Sequence, residues 1–185
     1  MNYRNGTYSA FYVSEPFNQN NLGAYAAKDF AFYQLVQAWK AQDPSFPFID
    51  SHAKTYNVRD GSDFEKTLKP RLHKRLLNSK NVLLFLSERT KPSLALDEEM
   101  DCGIGYLELP VIVVYPDIMP VDATGITWEA EDLWGLLPSF KRHMGLVPTL
   151  HIPLAKDMIR VALRDPDLMV QTAIAPGVYY PRLHR

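Results

Sequence analysis

The sequence predicts an α/β fold, a doubly wound parallel sheet with helices on both faces, and three observations carry this. Within Ser79-Lys80-Asn81-Val82-Leu83-Leu84-Phe85-Leu86-Ser87, the run from Val82 to Leu86 is apolar with no alternation and is closed by a serine, the pattern of a strand covered on both sides. A second such run, Leu109-Pro110-Val111-Ile112-Val113-Val114-Tyr115, follows one helix length later. Helix-patterned stretches precede, separate and follow the two runs, so strands and helices alternate, and crossovers between parallel strands are right-handed as a rule.

Taken in order, Tyr8-Ser9-Ala10-Phe11-Tyr12-Val13 favours a first strand, closed by the turn formers Ser14 to Asn18. Asn18 to Gly23 is a polar, glycine-containing loop at that strand end, where a substrate would enter. Ala24 to Ala41 carries Phe32, Leu35, Val36 and Trp39 at the i, i+3, i+4, i+7 spacing of one helix face, an aromatic stripe read as core. Asp43-Pro44-Ser45 stops this helix, and Phe46-Pro47-Phe48-Ile49 is expected to form a second strand, with Asp50, Ser51 and His52 at its carboxyl end. After a loop over 53–61, Ser62-Asp63-Phe64-Glu65 has capping-box spacing, so a helix is expected to run to about Asn78, kinked or restarted at Pro70. Between Arg59 and Lys80 there are seven Lys or Arg against three Asp or Glu, read as a solvated basic face with phosphate recognition as the alternative.

Beyond the pivotal strand, Pro92 and Ser93 suit the opening of a helix whose second turn holds Glu98 and Glu99. Gly103-Ile104-Gly105-Tyr106 is expected to break that helix before the next strand, which Pro116-Asp117 ends. The last third reads as a loop over 118–127, a helix over Trp128 to Met144 interrupted by Gly135 and Pro138, an edge strand at Leu150-His151-Ile152, and a final helix from Leu154 to Arg164. The tail from Asp165 to Arg185 either packs on the domain or serves a partner.

With 20 basic and 21 acidic residues the net charge is −1, which argues against a nucleic-acid or anionic-membrane partner. No apolar run approaches the roughly 20 residues of a membrane helix. The amino terminus lacks the apolar core of a signal peptide and Cys102 is the single cysteine, so a reducing cytoplasm is expected. The five histidines, at 52, 73, 143, 151 and 184, have no metal-ligand spacing, and no metal is expected. A glycine-rich dinucleotide turn, a P-loop and a nucleophile elbow are all missing, so any nucleotide is bound another way. In open α/β sheets ligands sit beyond the carboxyl ends of the strands. That rule collects Ser14, then Asp50, Ser51 and His52, then Glu98 and Glu99, then Tyr115 and Asp117. Neighbouring helix residues differ by roughly 100°, so Glu98 and Glu99 cannot both face one pocket. Leu96 and Met100 mark the inward seam; Glu99 lies beside it, either functional or a helix-dipole carboxylate, and Glu98 points away as a solvated charge.

The order Ser87-x-x-Thr90-x-x-Ser93, with Glu99 near the start of the next helix, resembles the TIR and TIR-like domains. Tyr12-Val13-Ser14, the Asp50-Ser51-His52 turn and Leu76-Leu77-Asn78-Ser79-Lys80 resemble the bacterial TIR-like branch that includes sensors of the Thoeris anti-phage system. The resemblance covers about residues 7–117 of one TIR-like domain spanning 1–185, with about 118–185 as a carboxyl-terminal extension. It departs in having Leu96-Asp97 where an aromatic and a cysteine often precede the glutamate.

The resemblance implies a flavodoxin-like fold that takes NAD as substrate, with no cofactor, and releases nicotinamide. Glu99 would be catalytic; Phe11, Tyr12, Ser14, Asp50, Ser51, His52 and Tyr115 would line the substrate site. It also implies an ADP-ribose-derived signalling nucleotide, such as a cyclic ADP-ribose isomer, that reaches a separate effector protein, with a phage-derived activator and a homo-oligomeric active state. The competing reading is a TIR-like interaction module without turnover. A receiver-like phosphoacceptor of similar topology is disfavoured, because the first strand ends Val13-Ser14-Glu15 and the pivotal strand Leu86-Ser87, without the acidic residues such a site needs.

Overall fold

Strand propensity and helical periodicity sort the described residues into five parallel strands and six α-helices. The structure, a computed structural model, describes residues 8–12, 26–51, 64–90, 93–172 and 174–181. The strands are β1 (Tyr8–Tyr12), β2 (Ser79–Phe85), β3 (Val111–Tyr115), β4 (Pro148–Pro153) and β5 (Gly177–Tyr179), in the spatial order β1-β2-β3-β4-β5. The helices are α1 (Ala26–Gln42), α2 (Lys69–Leu77), α3 (Leu94–Met100), α4 (Trp128–Trp134), α5 (Pro138–His143) and α6 (Lys156–Arg164).

Alternation along the strands divides the core in two. Val82, Leu84, Val111, Val113 and Tyr115 meet α2 to α5 through Leu72, Leu76, Leu96, Met100, Leu133 and Phe140. Leu83, Phe85, Ile112, Val114 and Ile152 meet α1, α6 and the tail through Tyr33, Val36, Ile159, Leu163 and Leu168. All five residues of β3 are buried, which explains a run with no polar face. The α1 stripe is core as expected: Phe32 stacks on Phe85 at 5.7 Å between centroids, and Trp39 tilts against Phe46 at 5.8 Å.

Several expectations are corrected. The second strand is not a strand: 46–50 pairs with β1 only through a parallel bridge between Ser9 and Asp50, with Ser9 N donating to Ile49 O. Pro47 removes a donor from the ladder, and the segment is held instead by Phe46 and Phe48, which are fully buried. Even so it lies on the outer side of β1, while the chain later returns on the other side as β2. This places the topological switch at β1, as in a flavodoxin-like sheet.

The basic helix begins as a π-helical segment over Phe64–Leu68 and becomes α2 at Lys69, so Pro70 marks a second start, where a missing N–H costs little. Gly103 and Gly105 do not end the acidic helix; α3 continues as a π-helical segment, Asp101–Tyr106. Their use is close approach. A Cβ on Gly103 would sit 3.1 Å from Leu76 Cδ2, and one on Gly105 3.2 Å from the His143 ring.

The Leu150-His151-Ile152 strand is interior rather than edge, because β5 pairs beyond it. The tail reaches that position by passing the amino-terminal side of the sheet, where Val170 N donates to Lys80 O and Asn81 Nδ2 to Leu168 O. The described residues after 117 therefore supply two strands and about a third of the buried residues of each core. Among the described residues no helix is long and apolar enough to cross a membrane. Ser14, His52, the 18–23 loop, the 53–61 loop and the Ser62–Asp63 cap lie outside the described residues.

Candidate active site around Glu99

Ser87 ends the β2 run, and its backbone N–H is capped by Thr90 Oγ1 at 3.0 Å while Thr90 N donates to Ser87 O. The chain turns there and re-enters as α3, with Ser93 at the N-cap accepting from Leu96 N at 3.2 Å. Leu96 and Met100 then point inward. Glu99, sixth in the helix, lies about 8 Å along it at 1.5 Å per residue. It falls on the flank of the apolar face that meets α2, and is only 6 % exposed.

α2 presents Leu72 and Leu76 to the core, and Arg75, three residues from one and adjacent to the other, enters the same seam. Arg75 Nη2 donates to Glu99 Oε1 at 2.5 Å, with only 12 % and 8 % of the two side chains exposed. Burial pushes the Glu99 carboxyl up to about 8, against the opposing pull of the Arg75 guanidinium. Glu98 has a different setting and is not a solvated charge. It meets His73 Nε2 at 2.7 Å and Lys69 Nζ at 3.1 Å, and these two partners hold its carboxyl below the usual range against partial burial. Towards α5, Asp97 accepts from Ser139 Oγ at 2.9 Å, and Asp101 faces His143 at 3.0 Å and Arg142 at 3.8 Å. The acidic helix is thus linked on one side to α2 and on the other to α5.

The remaining expected site residues are scattered in height. Phe11 and Tyr12 stand at the carboxyl end of β1, in register with Leu83 and Leu84. Asp50 is level with Ser9, three residues lower, or about 10 Å at 3.3 Å per residue. Its carboxylate accepts from the Tyr33 hydroxyl and from Gln37 Nε2, which ties it to α1. Ser51 is buried, and its hydroxyl has no hydrogen-bond partner among the described residues.

Tyr115 does not line the rim. It is fully buried, its hydroxyl 2.7 Å from both Trp134 Nε1 and His151 Nδ1. Trp134 donates to this hydroxyl, which also shares a hydrogen bond with Nδ1, while the buried His151 Nε2 has no partner among the described residues. Burial lowers His151 to about 3, consistent with a neutral ring packed among Tyr115, Trp134 and Phe140. Asp117 is exposed at the same strand end.

Sequence reasoning missed Arg75, Tyr33, Trp134 and His151. For Arg75 a signal existed: a cation-rich helix followed by an acidic one across a single strand implies pairing between their adjacent faces. Among the described residues no group of three His, Cys, Asp or Glu side chains could hold a metal ion.

A parallel sheet switching at β1, followed after β2 by a helix with an inward-flanking glutamate, is the architecture of TIR-like domains. The family model described as the Thoeris protein ThsB, TIR-like domain, matches residues 8–119, and the chain belongs to that family. This makes it a TIR-like protein of Thoeris anti-phage defence.

Proposed function

We propose that this protein cleaves the bond between nicotinamide and ribose in NAD and converts the remainder into an ADP-ribose-derived signalling nucleotide, such as a cyclic isomer. The observation that carries the reading is the buried carboxylate of Glu99 on the helix after β2, in a family where that helix carries the NAD-cleaving glutamate in enzymatic members. Breaking the glycosidic bond sends its electron pair to the nicotinamide nitrogen, which leaves neutral, and puts positive charge on the ribose. A carboxylate in a desolvated seam stabilises that charge strongly and can hold a ribose hydroxyl, so no second acid is needed. Capture of the ribose carbon by water, or by another atom of the same ADP-ribose, completes the step.

Phe11 or Tyr12, with Ser14, would flank the nicotinamide at the end of β1; Ser51 and His52 would contribute hydrogen bonds, and Asp50, held by Tyr33 and Gln37, would orient their turn. The product would diffuse in the cytoplasm to a separate effector protein. Turnover would require self-association and a phage-derived activator.

One observation favours a second reading, the interaction module without turnover: Glu99 is 6 % exposed and paired as a purely structural ion pair would be. Nicotinamide release, followed by chromatography with protein from phage-infected cells, separates the two. Release that is abolished in Glu99→Gln supports the enzyme. Absence of release from both proteins, at high concentration and under infection, supports the module.

A further inference from the structure

We propose that Arg75 is the positioning residue of the Glu99 site, fixing one carboxylate oxygen and favouring the ionised form against the burial, so that the other oxygen meets the substrate. This rests on the reading of Glu99 as the group that acts on NAD. The geometry that carries it is asymmetric. Arg75 reaches Oε1 through Nη2 alone, and Oε2 accepts no hydrogen bond from the described residues. One oxygen is occupied by the protein, and the other is left for a ribose hydroxyl or for the charge developing at the ribose carbon.

The arginine is itself held in place. Its carbonyl accepts from Ser79 Oγ at 2.9 Å and from Asn78 N at 3.1 Å, which anchors the last turn of α2 to the start of β2. Its neighbour Leu76 meets Gly103, where a methyl group would come within 3.1 Å, so the two helical segments approach closely at this point. The other charged groups around the seam are committed elsewhere. On α2, Lys69 and His73 bind Glu98; on α5, Arg142 and His143 face Asp101; on the acidic helix itself, Asp97 is bound to Ser139. Cys102 is buried close by, and its thiol is pushed up to about 11 by burial and by Glu98. Among the described residues, the cation on Glu99 is Arg75. A guanidinium suits this task because its donors are planar and its charge persists at every working pH.

The test uses the full chain with Arg75→Gln and Arg75→Lys, their folding checked by circular dichroism. Two readouts are taken: carbon-13 NMR titration of the Glu99 carboxyl, assigned with Glu99→Gln, and the pH profile of nicotinamide release. Loss of the cation in Arg75→Gln is expected to raise the Glu99 midpoint so that ionised carboxylate falls about tenfold at fixed pH, the lower end of the effect of a close charge. The acid limb of kcat moves with it, while KM changes less. Arg75→Lys is expected to hold the midpoint near the native value and to lower kcat, because charge is kept and orientation is lost. A Glu99 midpoint unmoved in folded Arg75→Gln overturns the proposal; if that variant does not fold, native kcat in Arg75→Lys overturns it. The NMR titration needs no turnover, so failure of the NAD reading shows as no release from the native chain, separately from the Arg75 result.

Discussion

Replacing Tyr115 with phenylalanine removes one oxygen and keeps the ring stacked on His151. That oxygen serves two buried partners, accepting from Trp134 Nε1 and lying 2.7 Å from His151 Nδ1. Neither partner has another described bond from that atom, and Tyr115, like His151, has no measurable exposure. A buried polar group left unmade costs about 1–3 kcal/mol, so two of them give about 2–6 kcal/mol of destabilisation. In a chain of this size, 1 kcal/mol moves Tm by about 2–4 °C, and the expected fall is about 4–24 °C. Urea unfolding followed by tryptophan fluorescence and a thermal melt measure it, with Trp134→Phe as the companion that removes only one donor. A loss below about 1 kcal/mol in Tyr115→Phe would refute the claim that this hydroxyl satisfies both groups. Where the folded variant turns over NAD, its KM should match the native value, since the residue is enclosed in the core; a large rise in KM would restore it to the substrate site.

The two perturbed buried groups pull stability in opposite directions with pH. Glu99, raised from 4.5 to about 8, contributes stability that is present below about 4.5 and lost as pH rises through 8, with a slope of at most about 1.4 kcal/mol per unit. Urea midpoints of Glu99→Gln and native protein should therefore diverge in favour of the variant between pH 5 and 8, and parallel curves would contradict the burial. His151, lowered from 6.5 to about 3, contributes stability present above 6.5 and lost as pH falls towards 3. Its replacement by glutamine should flatten the acid limb of the stability curve while weakening the protein at pH 7, and an unchanged acid limb would argue that the ring is solvated. Gly105→Ala pushes a methyl to 3.2 Å from the His143 ring and should cost about 1–3 kcal/mol through overpacking, unless the ring swings away from Asp101; a neutral effect in urea would mean that it does.

The sheet was legible in the sequence because β2 and β3 are apolar on both faces, a pattern that needs no knowledge of partners. What escaped were properties set by neighbours. Pro47 sits in a segment of strand-like composition, yet pairing there depends on whether β1 meets it, and it does so at one residue. The glycines at 103 and 105 looked like terminators because sequence does not reveal that another helix lies 3 Å from where their side chains would be. The Glu99 side chain was located beside the apolar seam by helical spacing alone; its partner Arg75 required knowing that α2 and α3 flank the same strand. Tyr115 stood at a strand end, where the rule for open sheets predicts a ligand contact. Trp134 and His151, both from the last third of the chain, close over it instead.

The span matched by the family model stops at residue 119, and the molecule does not. β3 is wholly apolar, and one of its two hydrogen-bonding edges is satisfied only by β4, which begins at Pro148. A polypeptide cut at the end of that match would present a naked, hydrophobic strand margin together with the uncovered undersides of both cores, a template for edge-to-edge association. Recombinant pieces trimmed to the signature would precipitate, and inactivity measured on them would report on the cut rather than on the chemistry of Glu99.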